Sequence, residues 1–409
     1  MATRSAGVLE QNPARAGFCR WCASVALAAI VLTLATGHAA TLRVSPDASL
    51  QAGVQTPLAS LAEAVRQAKD GDTILGEPGE YRGDVALIDQ KRLAIRGVGQ
   101  RPVFIAEGRA VEGKAMLVVR GGDIEIENLE FRGARVPDGN GAGIRFEKGR
   151  LTLRRCAFVD NQMGVLTVNF DDAELVVEDS EFAHAPRAES PLPHLLYAGR
   201  IASLKVSGSR FHDGRVGHLL KSRARRTELA YNLIVDGPAG RASYEVDLPN
   251  GGDALLIGNV IGQSAASENR VIVAYGAEGN AWPQSRLRLV HNTLISEGAR
   301  PAWFVRVWTE RLPAYTRLQA LNNLGVGPAD FTLGAAWATE GNFSAPESVL
   351  EAADALDFAP VRGSTLRGAG VDPLAATGSE LVPRFEFALP LGKQPLSPPA
   401  RWSPGAVQR

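Results

Sequence analysis

The sequence predicts an all-β fold, a right-handed parallel β-helix (a solenoid of stacked coils) with an N-terminal capping α-helix. Three observations predict it: one short apolar motif recurs along most of the chain, each repeat contains a second alternating run with no room for a helix between them, and one amphipathic stretch precedes the first repeat.

The recurring motif alternates apolar residues and often ends in an aromatic. It reads LAIRG (93–97), IEIENLEF (124–131), LTLRRCAF (151–158), LVVEDSEF (175–182) and LKVSGSRF (204–211), then ELAYNLIV (228–235), ALLIGNVI (254–261), LRLVHNTL (287–294) and LQALNNLG (318–325). Aligning the central apolar residues gives positions 95, 126, 153, 177, 206, 229, 256, 289 and 320, with steps of 23 to 33 residues. A β-helix keeps its short strands in register and lets its turns vary in length, so irregular spacing fits it better than a propeller or a helical solenoid. The second runs are GIRF (143–146), GVLTV (164–168), HLLK (218–221), YEVDL (244–248), VIVAY (271–275) and FVRVW (304–308). Two or three strands per coil argue against a doubly wound sheet.

Equivalent residues of successive coils should form columns. Asn128, Asn232, Asn259, Asn292 and Asn322 or Asn323 lie at or beside one turn, where amide side chains tolerate left-handed backbone and hydrogen-bond along the stack. They are expected to be a structural ladder. The first coil needs a cover over its apolar end, and Leu58–Lys69 supplies one, with Leu61, Ala64, Val65 and Ala68 at helical spacing and Ser60 with Glu63 as a capping box.

Residues 1–40 read as a signal peptide: Arg15 and Arg20 flank an apolar run, Ala23–Ala35, that is followed by small residues. That run is shorter than the roughly 20 residues that cross a bilayer, so no membrane span is expected in the mature chain, which should be periplasmic or secreted. Residues 41–375 are then the β-helix domain with its cap, and 376–409 a Pro-rich tail lying along the stack or loose. Basic and acidic residues balance at 44 each, which gives no support to a nucleic-acid partner. Cys19 and Cys22 leave with the signal. Cys156 remains alone and is expected to be a buried apolar filler, so stability must come from packing and not from disulfides.

Two segments carry a family resemblance. PLASLAEAVRQAKDGDTILGEPGEYRG (57–83), with Gly71, Asp72, Thr73, Ile74, Pro78, Gly79 and Tyr81, resembles the cap and first coil of pectate-lyase-like β-helix proteins. FAPVRGSTLRGAGV (358–371) resembles the segment that closes many of them. Together with the repeats, the resemblance covers most of the chain. Its fold hosts lyases, hydrolases, epimerases and non-catalytic binders.

Chemistry is expected in 217–253, where polar residues interrupt the repeat. Lys221 and Asp247 precede consecutive motifs at similar distances, so they should face one groove on neighbouring coils, with Glu278 and Arg306 extending the column. Lys221, Ser222 and Asn232 resemble the Lys-Ser and following Asn of polysaccharide lyase family 6, the alginate and chondroitin lyases. The chain then departs: Val246-Asp247-Leu248 stands where the resemblance implies a catalytic Arg, and Arg241 falls before that strand.

β-Elimination from a uronate needs a base near the C5 proton and a cation to neutralise the carboxylate. Lys221 is the candidate base, with Arg223, Arg225 and Arg226 expected to lower its pKa, and His218 a competing base or proton donor. Asp247 is the third candidate catalytic residue. Arg223, Arg225, Glu245, Tyr244, Tyr275 and Arg306 are candidate substrate-binding residues. Tyr244, Tyr275, Trp282, Trp303 and Trp308 could offer flat faces to sugar rings, and Asp247, Glu245 and Glu278 could hold Ca2+. The bland counterparts are a solvated basic turn over 221–226, a satisfied histidine, a turn-shaping aspartate and core aromatics. No P-loop, G-x-S-x-G or H-E-x-x-H motif is present. The expected partner is an acidic polysaccharide, acted on by a monomer through β-elimination or C5-epimerisation. The alternative is a non-catalytic glycan-binding or envelope protein.

Overall fold

Alternating apolar residues favour strands whose inner faces pack together, and short strands separated by tight turns can repeat that packing coil after coil. The computed structural model describes residues 39–47, 57–186, 193–298, 301–331, 337–378 and 381–409. The signal-peptide expectation therefore lies outside the described residues. Three parallel sheets of 12, 10 and 11 strands run along a right-handed solenoid, each complete coil contributing one strand to each sheet.

The nine aligned positions form one column of the 12-stranded sheet. Ile95 pairs with Ile126, Ile126 with Leu153, Leu153 with Val177, Val177 with Val206, Val206 with Leu229, Leu229 with Leu256, Leu256 with Leu289, and Leu289 with Ala320. The column extends further than the motif did, through Leu42 and Ile74 at one end and Thr339 at the other. The motif-ending Phe131, Phe158, Phe182 and Phe211 stack inside and continue a column that starts at Tyr81 and Phe104, with successive centroids 4.6 to 5.8 Å apart.

The asparagine ladder exists through the expected Asn232, Asn259, Asn292 and Asn323, and it extends to Asn342. Asn232 Nδ2 donates to Asn259 Oδ1 at 2.9 Å, Asn259 to Asn292 at 2.9 Å, Asn292 to Asn323 at 3.0 Å and Asn323 to Asn342 at 2.8 Å. Towards the N-terminus Ser209, Ser180 and Cys156 continue the column through backbone donors. Asn128 and Asn322 are not in it. They occupy the preceding turn position, which is left-handed (φ 56° and 52°) and which Gly208 and Gly258 also fill. Cys156 is buried, as expected, and burial pushes its thiol up to about 11.

The capping helix spans Leu61–Gln67 and buries Leu61, Ala64 and Val65. Ser60 Oγ accepts the Glu63 N–H, the first half of the capping box; the Glu63 carboxylate instead accepts from Gln67. Asp84 takes the Leu61 and Ala62 N–H groups, so the first-turn donors are satisfied from the following coil. At the other end, residues 381–409 run back along the stack: Ala406 N–H donates to Thr293 Oγ1, Trp402 packs on His291 and Phe385 on Tyr231. Among the described residues no helix is long and apolar enough to cross a membrane.

Asn259→Ala should strand ladder partners above and below it and cost about 3 kcal/mol, read by urea denaturation. Asn128→Gly, at a left-handed position outside the ladder, should change stability by less than about 1 kcal/mol.

Candidate functional site

Strand alternation carries every second side chain of the 10-stranded sheet outward. The strands His194–Ala198, Leu220–Ser222, Val246–Leu248, Val271–Tyr275 and Ala302–Val307 pair so that Tyr197, Lys221, Asp247, Ala274 and Arg306 form one outer column. Leu196, Leu220, Val246, Val273 and Val305 form the buried column beside it. A second outer row is made of rings: His194, His218 and Tyr244 stack with centroids 4.7 and 4.8 Å apart.

Lys221, His218 and Asp247 converge. Asp247 Oδ2 lies 2.9 Å from Lys221 Nζ and 3.3 Å from His218 Nε2. Its Oδ1 is buried without a hydrogen-bond partner. Burial alone would raise the Asp247 carboxyl, but the bonds and charges of His218 and Lys221 outweigh it and hold the group below the usual carboxylate range.

The imidazoles are oriented by backbone. His194 Nδ1 accepts the His218 N–H at 2.9 Å, and His218 Nδ1 accepts the Tyr244 N–H at 3.3 Å. An Nδ1 engaged as acceptor assigns the proton of the neutral ring to Nε2. His218 therefore faces Asp247 as a hydrogen-bond donor through Nε2. Burial, with the nearby His218 and Lys221, holds His194 well below its ordinary value and neutral.

Arg223, at the end of the Lys221 strand, joins the other wall. Its Nε donates to Tyr197 Oη at 2.9 Å, and its guanidinium forks onto the Glu278 carboxylate, with Nη2 to Oε1 at 2.8 Å, and reaches Asn250. Lys221 Nζ is 3.6 Å from the same carboxylate. The side chains of Glu278 and Asp247 are 46% and 3% exposed, so the first is a surface partner and the second a buried one.

Several expected site residues lie elsewhere. Tyr275 is fully buried, its hydroxyl donating to the Gly252 carbonyl at 2.8 Å. Glu245 is fully buried at the inner corner, where Gln263 Nε2 reaches it at 3.0 Å, and burial, aided by Asp236, pushes its carboxyl well above the usual range. Neither can touch a polymer in the groove. Arg225 lies over Trp282 with Arg200, lining a separate polar cavity of about 820 Å³ with Arg226 and Asp253. Of the expected arginine cluster only Arg223 stands beside Lys221, and the direct ion-pair partners of Lys221 are two carboxylates, Asp247 and Glu278. Those carboxylates and Glu245 do not form a Ca2+ site, since Glu245 is on the inner side and Lys221 and Arg223 already compensate the other two. Glu278 joins from a loop, because its expected place in the column belongs to Ala274. Tyr244 remains half-buried beside His218, and Arg306 stacks on Trp308 and Trp303 two strands beyond Asp247.

Of the residues that resemble polysaccharide lyase family 6, only Lys221 faces the groove. Ser222 points inward to Thr227 at 2.8 Å, and Asn232 belongs to the ladder. Sequence reasoning missed Tyr197 and His194, although HLLY (194–197) repeats as HLLK (218–221) one coil later.

No family model matches the sequence, and no curated protein matches it. Among solved structures, the crystal structure of pectate lyase Pel9A is similar, with a TM-score of 0.66 at 13% identity over 90% of this chain and 96% of that one. A pectin methylesterase in complex with a hexasaccharide covers 85% of this chain and 98% of its own at 13% identity, but its TM-score of 0.27 carries no weight. The likeness is one of fold.

Asp247→Asn should destabilise the protein by about 3 kcal/mol at pH 7 by leaving Lys221 without its buried partner. Because the Asp247 carboxyl is depressed in the fold, its contribution is complete above the ordinary value of 3.8 and is lost as pH falls through the lower folded value. Denaturation curves of the two proteins should therefore converge in strong acid and diverge above it.

Proposed function

We propose that this pectate-lyase-like β-helix is an exported protein that binds an acidic polysaccharide along its 10-stranded sheet and removes the proton α to a uronate carboxylate. That step opens both β-elimination and C5-epimerisation. The observation that carries this reading is Glu278, whose carboxylate is forked by Arg223 and lies 3.6 Å from Lys221. The groove already holds a carboxylate where a uronate would place its own. Exchange of one for the other conserves charge, and the surface-exposed Glu278 leaves more readily than the buried Asp247. A neutral glycan cannot make that exchange.

Once Arg223 neutralises a uronate carboxylate, charge developing at C5 can spread into it as an enolate. Lys221 in its free-amine form takes the C5 proton in this reading, and the ammonium so formed is paired by Asp247, which His218 fixes in turn. Tyr197, hydrogen-bonded by Arg223, adds a hydroxyl on the same wall. Arg306 on its tryptophan platform lies along the same line, about 10 Å beyond Asp247 by strand spacing, and would meet a neighbouring sugar. A non-catalytic binding reading is favoured by one observation, the compensation of Lys221 by Asp247 where the family 6 resemblance implies an Arg.

The test combines binding with turnover on alginate, pectate and chondroitin, following the ultraviolet absorbance of a new C4–C5 double bond and proton NMR for epimerisation. Arg223→Ala should weaken polymer binding by about tenfold, and Glu278→Ala should strengthen it several-fold by removing the internal competitor. Lys221→Arg keeps the charge but cannot give up a proton, so it should retain binding and lose about 100-fold or more of turnover. Wild-type binding without turnover on every uronate polymer would favour the binding reading. Binding that ignores both Arg223→Ala and Glu278→Ala would contradict the groove itself.

A further inference from the structure

We propose that His184, His212 and Asp213 form a binding site for a borderline transition-metal ion such as Zn2+, clipping two successive coils together away from the Lys221 groove. The strands Glu181–Ala183 and Arg210–His212 are paired neighbours in the 11-stranded sheet, with Ala183 opposite His212. Each is followed by a left-handed residue, His184 at φ 56° and Asp213 at φ 53°, at the same turn of consecutive coils. One coil therefore presents an imidazole, and the next an imidazole and a carboxylate.

The ligand atoms are already gathered. Asp213 Oδ2 lies 3.1 Å from His184 Nδ1 and 2.7 Å from His212 Nδ1, and the donor atoms of the three residues all lie within 4.8 Å of one another. Ligands at about 2.0–2.1 Å from a tetrahedral Zn2+ stand roughly 3.3 Å apart, so small side-chain rotations suffice to close the set. A second, independent feature points the same way. The far nitrogen of His212, Nε2, is 3.0 Å from Glu181 Oε1. A carboxylate behind an imidazole fixes the ring and its tautomer and makes the facing Nδ1 a better donor. Without metal, the Nδ1 proton of His212 is shared with Asp213; metal binding releases that proton and replaces it.

Two imidazoles and one carboxylate suit Zn2+, Co2+ or Ni2+, whereas Ca2+ and Mg2+ demand a fuller oxygen shell. The His184 side chain is 58% exposed, which leaves a route for the ion and a fourth position for water.

The test is calorimetric titration of the chelator-stripped full-length protein with ZnCl2, alongside the visible spectrum of added Co2+ and thermal melting. The N-terminal Cys19 and Cys22 are common to all variants, so the difference from wild type isolates this site. Wild type should bind one Zn2+ more than His184→Ala, with a Kd of about 10 μM or tighter, and its melting temperature should rise with zinc. Glu181→Gln should weaken that binding by about 10- to 100-fold. CaCl2 should give no such difference. His184 is exposed, so His184→Ala tests the site without a folding penalty even if His212→Ala fails to fold. Identical zinc isotherms and melting shifts for wild type and His184→Ala, or millimolar binding only, would overturn the proposal and reduce the cluster to an ion pair.

Discussion

From Arg155 onward each coil is locked to the next at the turn between the 12- and 11-stranded sheets, where a left-handed residue is followed by one whose polar atoms bond to the coil above. Arg155, Asp179, Gly208, Tyr231, Gly258, His291 and Asn322 take the first place, and Cys156, Ser180, Ser209, Asn232, Asn259, Asn292 and Asn323 the second. The ladder side chains are buried and would each cost free energy if unpaired. A slipped coil would break this column and the aromatic stack together, so register is strongly specified.

The geometry of the candidate site depends on that register. A shift of one residue in Leu220–Ser222 would turn Lys221 into the core and bring Leu220 to the surface. With register held, strand pairing alone puts Tyr197, Lys221 and Asp247 side by side, and the ring row of His194, His218 and Tyr244 flanks them. The loop that carries Glu278 then crosses the corner and pairs with Arg223, while Trp282 from the same loop donates to the Arg223 carbonyl at 3.0 Å. A rigid scaffold thus positions the buried ion pair, and a surface loop supplies the exchangeable one.

The fold was legible because its strongest signal, apolar residues repeated once per coil, maps directly onto one column of paired strands. The ladder was legible only in its asparagines. Ser180, Ser209 and Cys156 do the same work with smaller side chains, and adjacent Asn322 and Asn323 split between two roles that sequence alone left open. At the site, Lys221, His218 and Asp247 were found because they interrupt apolar runs. Glu245 misled because simple alternation puts it on the same face as Asp247, yet the strand begins only at Val246 and Glu245 turns inward at the corner, in line with Leu219. Tyr275 misled for the opposite reason: an aromatic that could serve a sugar is here a core residue with its hydroxyl satisfied by backbone. The Arg223–Glu278 pair was not legible, since it joins residues from different coils through a loop of irregular length.

The central claim is that the Arg223–Glu278 pair marks the place of a uronate carboxylate, so the most direct measurement is a crystal structure of the protein with a bound uronate oligosaccharide. The account predicts a sugar carboxylate on Arg223, with Glu278 displaced toward solvent and Lys221, still beside Asp247, facing the C5 position. An oligosaccharide bound elsewhere, with the Arg223–Glu278 fork unbroken, would contradict it.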